Sequence, residues 1–210
     1  MIQGLIGKKL GMTQIFTDDG RVIPVTVIKA GPCLVVQKKI KENNLWMKIQ
    51  LGLVEERKVK SVNKPMRGHF EKAHVPPTNV LKEFLVTEDN VNVGDSIKVD
   101  IFAEKERVSV CGITKGKGFQ GVVRRYGFGG GRATHGSMFH RRIGSAGMCA
   151  FPGKIIKGKK MPGRMGGKQK TLKGINIVKI DVEKNLLVLK GAVPGFKGNY
   201  VYITRDSFKV

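Results

Sequence analysis

The middle of this chain has no acidic residues. Between Arg107 and Ile180 neither Asp nor Glu occurs in 74 residues, although the 210-residue chain has 16 of them. The same stretch holds 17 of the 39 Lys and Arg residues, and the other 136 residues carry an ordinary balance of 22 basic and 16 acidic. Because such a segment repels itself unless a polyanion lies against it, the pattern indicates nucleic-acid binding.

Cysteine and long apolar runs are also scarce. Cys33, Cys111 and Cys149 are odd in number and far apart, which favours reduced thiols in a cytosolic setting over a disulfide framework. No apolar run approaches the roughly 20 residues that span a bilayer, and the first residues lack the features of a secretory signal. Binding to a membrane surface would need a basic amphipathic helix, which the many glycines oppose. We therefore expect a cytoplasmic protein with no membrane partner.

The lack of carboxylates also argues against catalysis in the basic stretch. Ser137, Ser145 and Cys149 could act as nucleophiles beside a histidine, but nothing acidic nearby could orient that base. The glycine pattern at 116–121 matches G-x-G-x-x-G, yet the next carboxylate is Asp181, too distant for a dinucleotide site. We expect no enzyme, no catalytic residue, no cofactor and no small-molecule substrate.

A zinc site is a weak alternative. His135, His140 and Cys149, with Cys111 as a fourth, could be imagined as ligands, but their spacing fits no common finger and no C-x-x-C occurs. The sequence therefore predicts no metal. Within a basic glycine-rich segment, histidine is better suited to stacking on a base or donating to a phosphate.

The flanking parts of the chain show patterns typical of strands. Runs rich in β-branched residues alternate with turn signals such as Asp18-Asp19-Gly20 and Gly31-Pro32. The predicted strands are 2–10, 12–16, 22–28, 33–39, 46–53, 80–86, 97–101, 108–113, 175–182, 186–190 and 200–204. A helix is predicted over 64–73 with Asn63 as its N-cap. Many short strands with glycine turns favour a small closed barrel over an open sheet.

Residues 115–173 have neither helical nor strand periodicity. A loop of that length without its own core is unusual in a compact domain unless a partner orders it. Interleaved Phe and Tyr suit unstacked RNA bases better than the duplex major groove. We therefore interpret 115–173 as an RNA-binding arm. Its predicted contacts are Lys115, Lys117, Phe119, Arg124, Arg125, Arg132, His135, His140, Arg141, Arg142, Lys154, Lys157, Lys159, Lys160, Arg164, Lys168, Lys170 and Lys173.

Two other classes of function share part of this pattern. A free-standing RNA chaperone or nucleoid-type protein would have the same charge, but it would bind many nucleic acids alike. An RNA-modifying enzyme would need a cofactor site and an acid–base pair, and the sequence offers neither.

Several motifs in order along the chain resemble one known family. The motifs are 7–14 (GKKLGMTQ), 116–121 (GKGFQG), 134–137 (THGS), 140–141 (HR), 144–145 (GS), 157–163 (KGKKMPG) and 185–195 (NLLVLKGAVPG). They resemble the bacterial large-subunit ribosomal protein L-three family over essentially the whole chain. The first motif adds Lys8 and Lys9 to the expected RNA contacts.

This resemblance implies a fold and a setting. The fold is mainly β, a small closed six-stranded barrel with an α+β excursion at about 55–85 and a long irregular basic arm. The body is expected to comprise 1–114 and 174–210, and the arm 115–173 is expected to thread large-subunit ribosomal RNA towards the peptidyl-transferase centre. Its tip would lie near 141–152, neighbouring large-subunit proteins would contact the body, and the protein would act early in subunit assembly.

One position departs from some relatives. They carry a glutamine before Thr-Pro-Gly that is methylated, whereas this chain has Ala150 before Phe151-Pro152-Gly153. The resemblance therefore predicts no methylation at this position.

Overall fold

The structure is a computed structural model that describes residues 2–17, 19–39, 47–55, 61–87 and 91–206, and in these the chain is mainly β. The strands are β1 (Gly4–Phe16), β2 (Val22–Ala30), β3 (Cys33–Lys39), β4 (Met47–Leu53), β5 (Leu81–Val86), β6 (Ser96–Ile97), β7 (Arg107–Ile113), β8 (Gly118–Gln120), β9 (Gly163–Met165), β10 (Gln169–Asp181), β11 (Leu186–Lys190) and β12 (Tyr200–Arg205). The helices are α1 (Lys64–Lys72) and α2 (Val122–Tyr126), and a 3-10 turn covers Val99–Ile101.

Six strands form a closed barrel in the order β1-β12-β7-β10-β11-β2, with β2 paired back to β1. All six pairings are antiparallel, so strands from both sides of the basic stretch share one sheet. Ile203 of β12, for example, lies opposite Leu5 of β1 and Val110 of β7, and all three side chains are fully buried. Because the barrel is closed, each of its six strands pairs with a neighbour on both sides and none is an edge strand.

A second sheet of four strands has the order β5-β4-β3-β6. The α+β excursion was placed at about 55–85, but the strands of this sheet come from 33–97. The apolar, β-branched runs of β3 and β4 correctly predicted two strands. They did not indicate which sheet these strands join, because pairing partners are set by tertiary packing. Helix α1 packs through Phe70 and Ala73 on Val36 of β3.

One apolar core joins the barrel and the four-stranded sheet. Leu5 and Ile6, neighbours on β1, are both fully buried although their side chains lie on opposite faces of the strand. Both belong to a cluster that includes barrel residues such as Leu189 and sheet residues such as Leu51. Each fully buried aliphatic side chain of this kind contributes about 1.5–3 kcal/mol of transfer free energy.

Two local predictions differ from the structure, and the predicted N-cap of α1 is confirmed. Strand β1 continues through Gly11 with a register shift between Lys9 and Gly11, so the two predicted strands are one. The predicted strand 97–101 is wrong beyond Ile97, because the next residues form the 3-10 turn. Asn63 does occupy the N-cap position of α1, but its side chain makes no capping hydrogen bond. The predicted strand residue Trp46 lies outside the described residues.

The chain divides into two compact units, 1–113 with 169–210 and 114–168. We call the second unit the arm unit. Residues 169–173, which the sequence analysis assigned to the arm, begin strand β10 and pair with β7. Residues 169–173 pair through backbone hydrogen bonds, which do not require alternating apolar side chains. The hydrophobic pattern of the sequence therefore did not indicate a strand there. In the described residues, no helix is both long and apolar enough to cross a membrane.

Candidate nucleic-acid interface

The arm unit begins as a narrow antiparallel ribbon. The Thr114 amide donates to the Lys168 carbonyl at 2.9 Å, and the Lys117 amide donates to the Met165 carbonyl at 2.9 Å. Strands β8 and β9 extend the ribbon and place Phe119 opposite Arg164. Gly166 has a φ of +73°, and a Cβ there would lie 2.1 Å from the Lys115 carbonyl oxygen. Glycine is therefore needed for the two backbones to approach this closely.

Helix α2 follows the ribbon and is tied to the returning segment by one arginine. Gly121 is the N-cap, and Gly127 ends the helix in the left-handed conformation. Arg125 donates through Nη1 to the Met161 carbonyl at 2.7 Å. Its guanidinium carbon lies 5.0 Å from the centre of the Tyr126 ring, and the Lys160 ammonium lies 5.7 Å from the same centre. Two cations thus share one aromatic ring.

Residues 127–162, all of them described, contain no helix or strand. Short backbone contacts shape this loop, among them a 2.6 Å hydrogen bond from the Gly131 amide to the His140 carbonyl. His135 and His140 have positive φ values of 58° and 40°, which are uncommon for residues other than glycine. Arg141 and Arg142 follow directly and are exposed.

The arm unit has almost no core. Of residues 114–168, all of which the structure describes, only Val122 is buried. Large apolar side chains are instead exposed, including Phe119 at 77%, Met138 at 84% and Phe151 at 90%. The unit contains 13 Lys and Arg and no acidic residue, so its own segment offers these cations no carboxylate. This combination of open charge and open aromatic surface fits a polyanion with unstacked bases.

The predicted contacts fall into four groups. The ribbon carries Lys115, Lys117, Phe119, Arg164 and Lys168; helix α2 carries Arg124 and Arg125; the loop carries Arg132, His135, His140, Arg141, Arg142, Lys154, Lys157, Lys159 and Lys160; strand β10 carries Lys170 and Lys173. Apart from Arg125, which is half-buried and bonded to Met161, all of these side chains are exposed. Tyr126 was not among the predicted contacts, and only its position between two cations in space marks it as a candidate.

Lys8 and Lys9 of β1 have partners inside the protein. The Lys8 ammonium lies 2.6 Å from Glu55 Oε1. Lys9 is buried, and its ammonium donates to the carbonyl oxygens of Val193 at 2.7 Å and Gly195 at 3.2 Å. Both side chains therefore have intramolecular contacts, and Lys9 lacks the open position expected of a phosphate ligand, whereas the Lys8 side chain is 39% exposed.

The remaining candidates are metal-ligating groups, the cysteines and Ala150, and they offer little chemistry in the described residues. The described residues contain no group of three or more His, Cys, Asp or Glu side chains that could hold a metal ion. Burial raises the pKa of the Cys33 thiol to about 12, so the thiol is un-ionised at neutral pH. Cys149 and Ala150 lie on the exposed loop, and the predicted lack of methylation at Ala150 stays a prediction.

The proteins that this chain resembles in sequence include proteins of the large ribosomal subunit. The chain is 52% identical over 204 residues to large ribosomal subunit protein uL3 of Carboxydothermus hydrogenoformans, which covers 97% of both chains. It is 50% identical to uL3 of Petrotoga mobilis over 99% of this chain and 97% of that protein. It is 47% identical to uL3 of Solibacter usitatus over 98% of this chain and 99% of that protein.

These relatives are proteins of the large ribosomal subunit and not enzymes, as the sequence analysis predicted. A model of the family described as ribosomal protein L3 matches residues 35–188. The match covers nearly all of the four-stranded sheet, the whole arm unit, and the barrel strands β7 and β10 with the start of β11. The chain belongs to the ribosomal protein L3 family.

Proposed function

We propose that this chain is a structural constituent of the large ribosomal subunit in the cytoplasm and binds large-subunit ribosomal RNA through its arm unit. We infer the large ribosomal subunit from the relatives, which are named as proteins of that subunit. The observation that carries RNA binding is the composition of residues 114–168, with 13 cations, no acid and one buried side chain. A segment with so little core gains its ordering free energy from a partner, and RNA is the polyanion of that particle.

The arm unit would act by neutralising phosphates. Each Lys or Arg that contacts RNA releases condensed counterions, and arginine can also form paired hydrogen bonds with phosphate oxygens. Exposed Phe119 and Phe151 offer faces on which splayed bases can stack. The glycine-rich backbone would pass through gaps between RNA helices that are too narrow for an α-helix.

The exposed segment 141–152 would be the deepest part of the arm, reaching towards the peptidyl-transferase centre. His135, His140, Arg141 and Arg142 would make the specific contacts there, and neighbouring large-subunit proteins would contact the body. Support of early subunit assembly follows from the same contacts, because a cation-rich segment can hold converging RNA helices together. Lys8, Lys9 and Arg125 are left out of the proposed interface, since each has a protein partner.

The test removes the arm without disturbing the barrel. Because the Thr114 amide is bonded to the Lys168 carbonyl, residues 115–167 can be excised and the ends joined by a short glycine linker. Strands β7 and β10 keep their pairing at Ile113 and Gln169 in this variant. Tagged full-length and arm-excised proteins are expressed in cells, lysates are fractionated on sucrose gradients, and the large subunits are then washed at high salt.

The full-length protein should stay in the large subunit at about one copy per particle, while the arm-excised protein is washed away. A matched variant with Phe16→Ala, an exposed change in the body, should be retained like the full-length protein. Full-length protein spread over free RNA and the top of the gradient would favour a general nucleic-acid binder and contradict the proposal.

A further inference from the structure

One of the acid-free segments of the body contains the connection between β11 and β12. No Asp or Glu occurs from Lys184 to Arg205, a stretch with four Lys and Arg residues. Its centre is the loop 191–199, which joins β11 to β12 and which we call the barrel loop. No role was assigned to this loop on the basis of the sequence.

The buried lysine of β1 holds the barrel loop in place. The Lys9 ammonium donates to the Val193 and Gly195 carbonyl oxygens, and these two bonds satisfy a charge that burial would otherwise penalise. The Lys9 backbone adds two more bonds, since its amide donates to the Asn199 carbonyl and its carbonyl accepts from the Gly198 amide. One residue thus contacts the loop at four points.

Contacts with β7 and within the loop also fix its conformation. The Asn199 side chain donates to the Ile113 carbonyl at 3.1 Å, at the last residue of β7. Gly195 has a φ of +99°, and a Cβ there would lie 2.5 Å from the Asn199 amide nitrogen. Val193, Pro194 and Gly195 are buried, whereas the next two residues are exposed. The loop therefore has a fixed base and an open tip.

The tip presents an aromatic ring next to a cation. Phe196 is 57% exposed, and Lys197 beside it is exposed. A fixed ring can receive an unpaired base at little entropic cost, and an adjacent ammonium can contact the neighbouring phosphate. The segment 184–205 supplies no acidic residue of its own, which favours RNA over a basic protein partner.

We propose that the barrel loop is a second RNA-binding element, in which Phe196 stacks on a base, Lys197 contacts a phosphate and Lys9 is the positioning residue. This inference rests on the proposed function, because it takes large-subunit RNA as the ligand. Lys9 would then contribute to RNA binding through the loop, without touching RNA itself.

The first experiment maps the ligand directly. Benzoylphenylalanine is placed at position 196 of the full chain in one preparation and at position 16 in another, since both sites carry exposed phenylalanines. Large subunits that contain each protein are irradiated, and the crosslinked products are identified. Position 196 should crosslink to large-subunit ribosomal RNA. A crosslink from position 196 to a protein, or none at all, would overturn the inference.

A binding cycle tests the role of Lys9. Affinities for extracted large-subunit ribosomal RNA are measured at one fixed salt concentration for Lys9→Met, Phe196→Ala and the double variant. Each single change should weaken binding about tenfold, a typical loss of one stacked base, and the double change should be no worse. Combining Phe196→Ala with Arg141→Ala should instead multiply the losses, because Arg141 lies in the other unit.

The outcomes separate this inference from the proposed function. If the losses from Lys9→Met and Phe196→Ala multiply, Lys9 does not position the loop, and that part is wrong. If Phe196→Ala binds like the unchanged protein while arm excision abolishes binding, the barrel loop is not an RNA element but the proposed function stands. If arm excision leaves binding unchanged and position 196 still crosslinks to RNA, the arm proposal fails and the barrel loop stands.

Discussion

Lys8 and Lys9 are adjacent on β1 and have different partners in the fold. Lys8 and Lys9 have the same chemistry, yet successive side chains of a strand point to opposite faces. Lys8 reaches Glu55, 47 residues away, and Lys9 reaches Val193, 184 residues away. Because both partners are distant in sequence, the motif around these lysines suggested RNA binding while the fold gives them structural contacts.

Glu55 is the centre of a polar cluster that ties together three parts of the body. Its carboxylate accepts hydrogen bonds from Lys8 of β1, from Asn79 before β5 and from Tyr200 of β12, at 2.6, 2.8 and 2.9 Å. Burial alone would raise the pKa of Glu55, but these donors outweigh it and lower the pKa below its usual value of 4.5. Burial and the facing Glu55 carboxylate raise the pKa of Tyr200.

Glu55→Gln should destabilise the protein in a pH-dependent way. A carboxyl whose pKa is lower in the folded state stabilises the fold above its unfolded pKa, and this stability is lost as the pH falls through the folded pKa. At pH 7 the substitution should lower the free energy of unfolding by about 1–3 kcal/mol. The difference between variant and parent should shrink below about pH 4.5, where Glu55 begins to protonate in the unfolded chain. Urea unfolding at a series of pH values measures both effects.

Glu83→Gln is the matched control. Glu83 accepts from Lys39 at 2.6 Å, but both side chains of this pair are more than a third exposed, so solvent screens their attraction. The control should lose well under about 1 kcal/mol at pH 7. Equal losses from the two variants, or a Glu55→Gln loss that persists undiminished at pH 3, would show that the cluster does not stabilise through its charge.

At the scale of elements, the sequence predicted the strands well and the arm only by exclusion. The predicted limits of β3 (Cys33–Lys39) and β11 (Leu186–Lys190) match the structure, since Gly31-Pro32 precedes the first run and Asn185 and Gly191 flank the second. The short elements of the arm, β8, β9 and α2, were not predicted. They comprise only three to five residues each and bury only Val122, so they leave no apolar period to detect.

The lysine-rich segment of the arm should account for a measurable part of the salt dependence of RNA binding. The slope of log affinity against log salt should be about −4 if a third or more of the arm cations contact phosphate. Replacing Lys154, Lys157, Lys159 and Lys160 with Gln should reduce the magnitude of that slope by up to about 3, as each lost contact removes about 0.7–0.9. Filter binding to large-subunit ribosomal RNA over a range of salt concentrations measures the slope.

A control with the same net charge separates local contacts from overall attraction. Lys64, Lys72, Lys82 and Lys98 are exposed lysines of the body, and their replacement by Gln removes the same four charges. This control should change the slope by less than about 1. If both quadruple variants lower the slope equally, the arm lysines act only through the total charge of +23, and their assignment as phosphate contacts is wrong.

At the scale of the whole molecule, the two units are stabilised by different means. The body has a continuous apolar core and a closed barrel, which together provide a favourable free energy of folding. The arm unit buries one side chain, carries 13 like charges and must fix the backbone of 55 residues at an entropic cost. A sequence can reveal this contrast through charge and glycine content, whereas the path of the arm depends on backbone contacts between residues far apart in the chain.

The contrast predicts that the body folds without the arm. The variant that lacks 115–167 keeps all six barrel strands and the buried core, so its thermal unfolding should remain cooperative, with a Tm within about 5 °C of the full chain. The arm unit alone, residues 114–168, should show no cooperative transition, because one buried Val122 cannot offset the lost backbone entropy. Calorimetry of the three proteins at equal salt measures this directly. A cooperative transition in the isolated arm would mean that the arm does not depend on RNA for its order. Loss of the transition in the arm-excised body would mean that the arm supports the fold of the body.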